Sequence, residues 1–288
     1  MQTTQHVPAA FRSTAVRPGP LGLVAEALAE VRSRQRLIRY LAQADLKKKG
    51  TDTFFGNVWW VLDPLLQMLV YVVLVTLIFQ RTLPAYPLFI FAAILPWKWF
   101  STAIMASISS VSGQDRLIKQ IQFPKIVLPA AAMLGGVVQF AFGLVPLAAM
   151  LVLVYPDRIS AALAYIPVVA VVQFVFTLAL GLVLAALNVF LRDVGILATH
   201  VLRLWFYLSP ALYGAAAVET VGETQPLVAD VMKLNPFFTL LESYRRAIYE
   251  GGVPDFGGLG VVLAASLVLL VVGVVFFKRL EPSFAKVL

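Results

Sequence analysis

Apolar residues lie along this chain in long blocks rather than in the short alternations of a soluble globule. Six runs carry few or no charges over about 20 residues or more, the length a helix rising about 1.5 Å per residue needs to cross hydrocarbon. They are residues 58–79, 86–108, 126–154, 160–191, 194–216 and 257–277. The third and fourth hold no charged residue at all, which leaves their ends soft and leaves room for tilt. Ahead of the first run, Leu21, Val24, Leu28 and Val31 recur at helical spacing, and Leu37, Tyr40, Leu41 and Ala44 repeat the pattern after a basic interruption. Residues 21–49 are therefore predicted as an amphipathic helix. It lies in the membrane interface or packs, solvated, on another subunit, and the two readings are compatible. Residues 1–20, rich in Pro, Thr, Ser and Gln without periodicity, are expected to be disordered.

One sizeable connection stands between the runs, residues 217–256. In its second half Asn235 reads as an N-cap and Pro236 as the first helical residue, while Phe237, Leu240, Leu241, Tyr244 and Ile248 share a face. A short amphipathic helix near the external surface is predicted there, with a re-entrant course as one option and Gly251 and Gly252 ending it.

Charge orients the spans, because short cytoplasmic loops retain Lys and Arg. With the N-terminus inside, nine cations precede the first run (Arg12, Arg17, Arg32, Arg34, Arg36, Arg39, Lys47, Lys48, Lys49). Three more lie in the second loop (Arg116, Lys119, Lys125), Arg192 is in the fourth, and Lys278, Arg279 and Lys286 follow the last run. Outside are Arg81, Arg158, Lys233, Arg245 and Arg246, with Lys98 and Arg203 near or within membrane-facing segments. Both ends are thus placed in the cytoplasm, and the fold class predicted is an all-α, multi-pass integral membrane protein of six transmembrane helices.

Composition agrees. Of 288 residues, 60% are hydrophobic and 13% charged, against about 25% charged in soluble domains, and the mean hydropathy is +0.86. The net charge of +8 sits beside apolar runs rather than in a soluble patch, so it reads as a topology marker and not as a nucleic-acid surface. No cysteine is present and histidine occurs only as His6 and His200, which excludes thiolate chemistry, disulfides and histidine metal clusters. HExxH, GxSxG and Walker A patterns are missing, so neither a catalytic site nor a bound cofactor is expected.

Few polar groups fall inside the spans, where they ordinarily mark function. Asp63, beside Pro64 and Gln67, is the carboxylate an ion-coupled mechanism would use; a structural or interfacial role is the alternative. Lys98, between Trp97 and Trp99, is either buried or snorkels to the interface that the tryptophans mark. Arg203 has partners within reach in Asp193 and His200, and phosphate binding is its other available role. Aromatic residues gather near span ends, as an interfacial belt or as rings along which sugars stack and slide.

Several local patterns occur in order: Leu46-Lys47-Lys48-Lys49-Gly50, the stretch 56–65 holding Trp59, Trp60, Asp63 and Pro64, Leu95-Pro96-Trp97, the stretch 118–125, Asn188 to Val194, Ser209-Pro210-Ala211-Leu212-Tyr213, and Leu234-Asn235-Pro236-Phe237. Together, over roughly residues 35–288, the chain resembles the ABC-2 type permeases that export polysaccharides of the O-antigen, teichoic acid, capsule and cell-wall galactan kinds, a type V exporter-like fold. The resemblance implies a half-transporter: a second copy of the chain completes the channel and two copies of a separate ABC ATPase, using ATP and Mg, drive it. It implies that the loop 113–125 couples to that ATPase through Arg116, Lys119, Gln120, Phe123, Pro124 and Lys125. It places the entrance for a polyprenyl-pyrophosphate-linked glycan near Lys47, Lys48, Lys49, Gly50, Trp59 and Trp60, where the lysines would attract a pyrophosphate or anionic membrane lipid. Channel lining falls to Tyr71, Trp97, Trp99, Phe100, Trp205, Tyr207 and Tyr213, and the external gate, 217–256, to Asn235, Pro236, Phe237, Phe238 and Tyr244. Two rival readings stay open, an ABC-2 permease for a small lipophilic molecule or drug and an ion-coupled transporter built on Asp63.

Overall fold

The computed structural model describes residues 18–51, 55–78, 80 and 83–288, without the Lys49 side chain. The expected disordered segment up to residue 17, Arg81 and the final residue of the first run fall outside the described residues. The chain enters as helices α1 (Pro20–Ser33) and α2 (Gln35–Gly50). A 3₁₀ turn, Gly56–Val58, then leads into α3 (Trp59–Val73), which ends in a π turn, Leu74–Ile78. There follow α4 (Tyr86–Ser112), the short α5 (Asp115–Gln120), α6 (Val127–Leu153), α7 (Ile166–Phe190) and α8 (Asp193–Leu208). Beyond them come α9 (Ala215–Thr224), α10 (Pro226–Leu234), α11 (Pro236–Arg245), which runs on through a π turn at Arg246–Glu250, and α12 (Phe256–Val287).

Five segments are long and apolar enough to span: Gly56–Ile78, Tyr86–Ser112, Val127–Leu153, Ala161–Phe190 and Phe256–Val287. The remaining run, predicted as a helix over 194–216, departs from expectation. Helix α8 stops at Leu208 after 16 residues, about 24 Å, which is short of the roughly 30 Å of hydrocarbon. The cause is Pro210. It has no N–H to continue the ladder and its ring would collide with the Phe206 carbonyl, and the residue before a proline is pushed toward extended backbone. Ser209 accordingly sits at φ −91°, ψ 149°. The crossing is completed by non-helical backbone over 209–214.

The amphipathic segment also differs from the single predicted helix. It breaks at Arg34 (φ −105°, ψ 21°) into α1 and α2. Leu23 and Ala27 of α1 and Ile38 and Ala42 of α2 are buried, while Leu21, Leu28 and Tyr40 are exposed. The covered face is chosen by packing of α1 on α12 and of α2 on α6. Helix α12, predicted to end at residue 277, continues for ten more as a rod of 32 residues, about 48 Å long.

Helix α4 is the axis of the bundle: 78% of its apolar window is buried, against 6% for the first span. Polar residues inside the charge-free runs hold it. Gln173 of α7 donates to the Pro96 carbonyl at 2.8 Å, and Asn188 donates to the Ile108 carbonyl at 3.0 Å and to Ser112 Oγ at 2.9 Å. Helices α7 and α12 approach closely where Gly273 faces α7; a Cβ there would meet the Ala179 carbonyl oxygen at 3.0 Å, the small-residue packing that membrane helices use in place of a hydrophobic drive.

Candidate functional site

Helices α3, α4 and α8 enclose a groove of about 1150 Å³ at bilayer depth. Spacing of three and four residues puts Arg192, Thr199, Arg203 and Tyr207 of α8 along it, facing Gln67 and Tyr71 of α3 and Lys98, Ser101 and Thr102 of α4. Lys98 Nζ lies 2.6 Å from Asp63 Oδ2, and both side chains are partly exposed to the groove. Lys98 therefore spans to α3, and the Asp63 carboxylate that ion coupling would need is engaged by a cation. Arg203 and Arg192 are exposed to the groove and have no ion-pair partner among the described residues; neither Asp193 nor His200 takes Arg203.

Behind the Asp63–Lys98 pair a smaller cavity of about 200 Å³ is lined by Trp59, Trp60, Trp99 and Phe140. Trp99 stacks on Phe140 at 4.6 Å and its Nε1 has no hydrogen-bond partner among the described residues. Gly50 closes the turn into α3, where a Cβ would run into the Asn57 side chain at 2.1 Å. Lys48 lines a cytoplasmic cavity of about 350 Å³ between α2, α4 and α6, and Lys47 is exposed. The Lys49 side chain lies outside the described residues. The structure thus separates the residues predicted for the entrance into a cytoplasmic lysine end and a tryptophan pocket one turn deeper.

The predicted channel aromatics also part company. Tyr71, Trp97 and Tyr207 line the groove. Trp99 faces the smaller cavity. Phe100 is fully buried and, with Trp97 and Trp205, packs around Phe237 of α11 at centroid distances of 4.4, 4.7 and 5.7 Å. Tyr213 lies at the external end and donates to the Tyr207 carbonyl at 3.1 Å.

At that end Asn235 caps α11 as its side chain suggests: Oδ1 accepts from Phe237 N at 3.0 Å and from Trp205 Nε1 at 2.9 Å, while Nδ2 donates to Ser209 Oγ at 2.9 Å. One residue therefore caps the helix following Pro236 and fixes it to the end of α8. Asn235→Ala is expected to lower stability by about 2 kcal/mol, combining a lost cap with a stranded indole N–H, and thermal unfolding followed by tryptophan fluorescence measures it. Phe238 is half-buried, whereas Tyr244 is buried with a hydroxyl lacking a partner among the described residues.

Sequence reasoning counted Arg245 as an ordinary external cation, and here it missed a central residue. Arg245 is 1% exposed. Its guanidinium donates to the carbonyls of Pro210, of Ala211 at 2.5 Å, of Tyr213 at 3.0 Å and of Phe89 at 3.4 Å, and it lies 3.9 Å from the centre of the Phe89 ring. Glu242 Oε2 stands 3.9 Å away; burial pushes this carboxyl above its ordinary range, with the Arg245 charge opposing. Unpaired carbonyls at membrane depth are costly, and Arg245 satisfies those that the non-helical 209–214 leaves over. Its spacing of four from Leu241, on the apolar face of the predicted helix, was the available signal.

On the cytoplasmic side Arg116, Lys119 and Gln120 are exposed on or beside α5, with Lys119 Nζ donating to the Leu288 carbonyl at 2.6 Å. Phe123 is buried in a cluster with Phe277 and Phe284, Pro124 is partly buried, and Lys125 N donates to Glu281 Oε1 at 2.5 Å. Lys278, nearly buried, gathers Glu26 at 3.1 Å, Glu30 at 2.8 Å and Glu281 at 3.0 Å. The interface helix, the last span and the loop 121–125 are thereby joined around one ammonium.

A multi-pass helical domain with a charged groove between its helices fits the transmembrane part of a transporter. The family described as ABC-2 type transporter matches residues 36–249, and the chain belongs to it. Among its relatives, an O-antigen export system permease protein RfbA of Myxococcus xanthus is 34% identical over 250 residues, covering 87% of this chain and 94% of that protein. Two proteins of the same name from Klebsiella pneumoniae are each 26% identical over 253 residues, covering 88% of this chain and 95% of their own.

Proposed function

We propose that this chain is the permease of an ATP-driven exporter that moves a polyprenyl-pyrophosphate-linked polysaccharide from cytoplasm to the outer side of the membrane. The observation that carries the reading is similarity to O-antigen export permeases over most of the chain, joined to a groove of about 1150 Å³ walled by hydroxyls, rings and charges as well as apolar side chains. A small lipophilic cargo would not call for charged walls. Two copies face each other across the groove, because an arginine exposed at mid-depth is tolerated where it meets water and not acyl chains. Two subunits of an ABC ATPase, using ATP and Mg, press on α5 and the loop around Phe123. The protein resides in the cytoplasmic (plasma) membrane with both termini inside, in keeping with the excess of Lys and Arg on that side.

The test is co-expression with a candidate ABC ATPase subunit. A stable complex that restores surface glycan in an export-deficient cell is expected. A chain that transports at full rate alone in liposomes overturns the reading.

A further inference from the structure

Arg192, the N-cap of α8, and Arg203, in the second half of that helix, lie eleven positions apart, about 16 Å along the axis and nearly in line, since eleven residues make close to three turns. Both face the groove. Among its lining residues the charges are three cations and one carboxylate, and Asp63 is taken by Lys98 at 2.6 Å. The two guanidiniums are thus left uncompensated, one at the cytoplasmic mouth and one beside the middle of α4. An unpaired arginine at that depth is costly, and no packing role offsets it, since Arg203 is exposed to the groove. Guanidinium groups present a planar fork of donors that fits a phosphoryl group bidentately and are less strongly hydrated than an ammonium.

Resting on the export reading above, we propose that Arg192 and Arg203 form a two-station track for a phosphoryl group, which hands an anionic group from the mouth of the groove to its middle, with Lys98 released from Asp63 as the group passes outward. The phosphoryl group has two possible sources, the pyrophosphate that joins a glycan to its lipid and phosphodiesters within the glycan itself. Thr199 and Ser101 line the same groove, and their hydroxyls, which donate to the Gly195 and Lys98 carbonyls, can turn to the same oxygens.

The full-length chain in lipid nanodiscs is titrated with geranylgeranyl pyrophosphate and with poly(glycerol phosphate), geranylgeraniol serving as the uncharged control. Arg203→Gln is expected to weaken binding of the phosphoryl probe by about tenfold, the loss of one charge-assisted partner. Arg203→Lys should recover part of it, and geranylgeraniol should respond to neither. Loss confined to the prenyl probe assigns the track to the lipid linkage, and loss confined to poly(glycerol phosphate) assigns it to the glycan. Wild-type affinity of Arg203→Gln for both probes overturns the proposal, as does a wild-type chain that binds neither. If Arg203 instead pairs with the second copy, the substitution weakens self-association and leaves both affinities unchanged, which also overturns it. In cells, Arg203→Gln exporting glycan at the wild-type rate removes the track and leaves the export reading standing. Failure of the wild-type chain to export removes the export reading itself.

Discussion

Arg245→Ala is expected to abolish recovery of monodisperse protein, or to lower its unfolding temperature more than any other single substitution named here. The guanidinium serves carbonyls from three residues of the 209–213 stretch and one from α4, and its removal strands those carbonyls together with the Glu242 carboxylate. Breaking a buried charged group out of its network costs about 3–5 kcal/mol. Arg245→Lys should rescue little, because three donors on a compact ammonium replace five in a rigid fork. Adding Glu242→Gln to Arg245→Ala should recover the share due to the orphaned acid while leaving the external segment loose. Size-exclusion yield and tryptophan-monitored melting decide the matter, and a wild-type melting temperature in Arg245→Ala would refute the structural role.

Lys278→Ala should be nearly as damaging. Three carboxylates from two helices converge on this ammonium, and without it Glu26, Glu30 and Glu281 face one another. Burial already raises the Glu30 carboxyl above its usual range, with Lys278 as the chief opposing influence, so the cluster carries a desolvation penalty that the cation offsets. A loss of about 3–5 kcal/mol is expected. Lys278→Met combined with Glu30→Gln and Glu281→Gln should regain stability. An amide oxygen at position 281 can still accept from Lys125 N, but the charge-assisted bond is lost, so that triple variant should still export less glycan, because the loop 121–125 is held to α12 more weakly. Melting curves beside an export assay separate the two effects, and full export by the stable triple variant would dismiss the mechanical part.

Much of this architecture was legible. Apolar run length found five spans, four of them to within a few residues and the last short of its cytoplasmic end, because hydrocarbon thickness and helix rise leave little freedom, and Asn235-Pro236 marked the start of α11 through cap chemistry alone. The shortened α8 was also written in the chain, at Ser209-Pro210, but a window of hydropathy averages over a proline and reads through it. Arg245 was harder to see. Charge counting treats every external cation as solvated, and a buried guanidinium finds acceptors here only because the backbone of 209–214 leaves the helical ladder with its carbonyls unpaired. Phe100 and Trp205 illustrate a third limit: their ring chemistry suits a sugar path, yet which side of a helix meets a groove and which meets Phe237 depends on packing between segments that are not neighbours in the chain.

The thin cover over the first span has a mechanical meaning. Its cytoplasmic end is pinned by buried Pro64, by Trp60 edge-on to Phe142 at 5.2 Å and by the bond from Asp63 to α4. Farther out it touches the bundle through Met68, Tyr71, Val72 and Val75, while Leu69, Val73 and Leu77 point away. Acyl chains are as apolar as leucine, so swinging the outer half of α3 aside trades one oily neighbour for another. So light an attachment leaves the outer half of α3 little side-chain packing to lose if it shifts against α4.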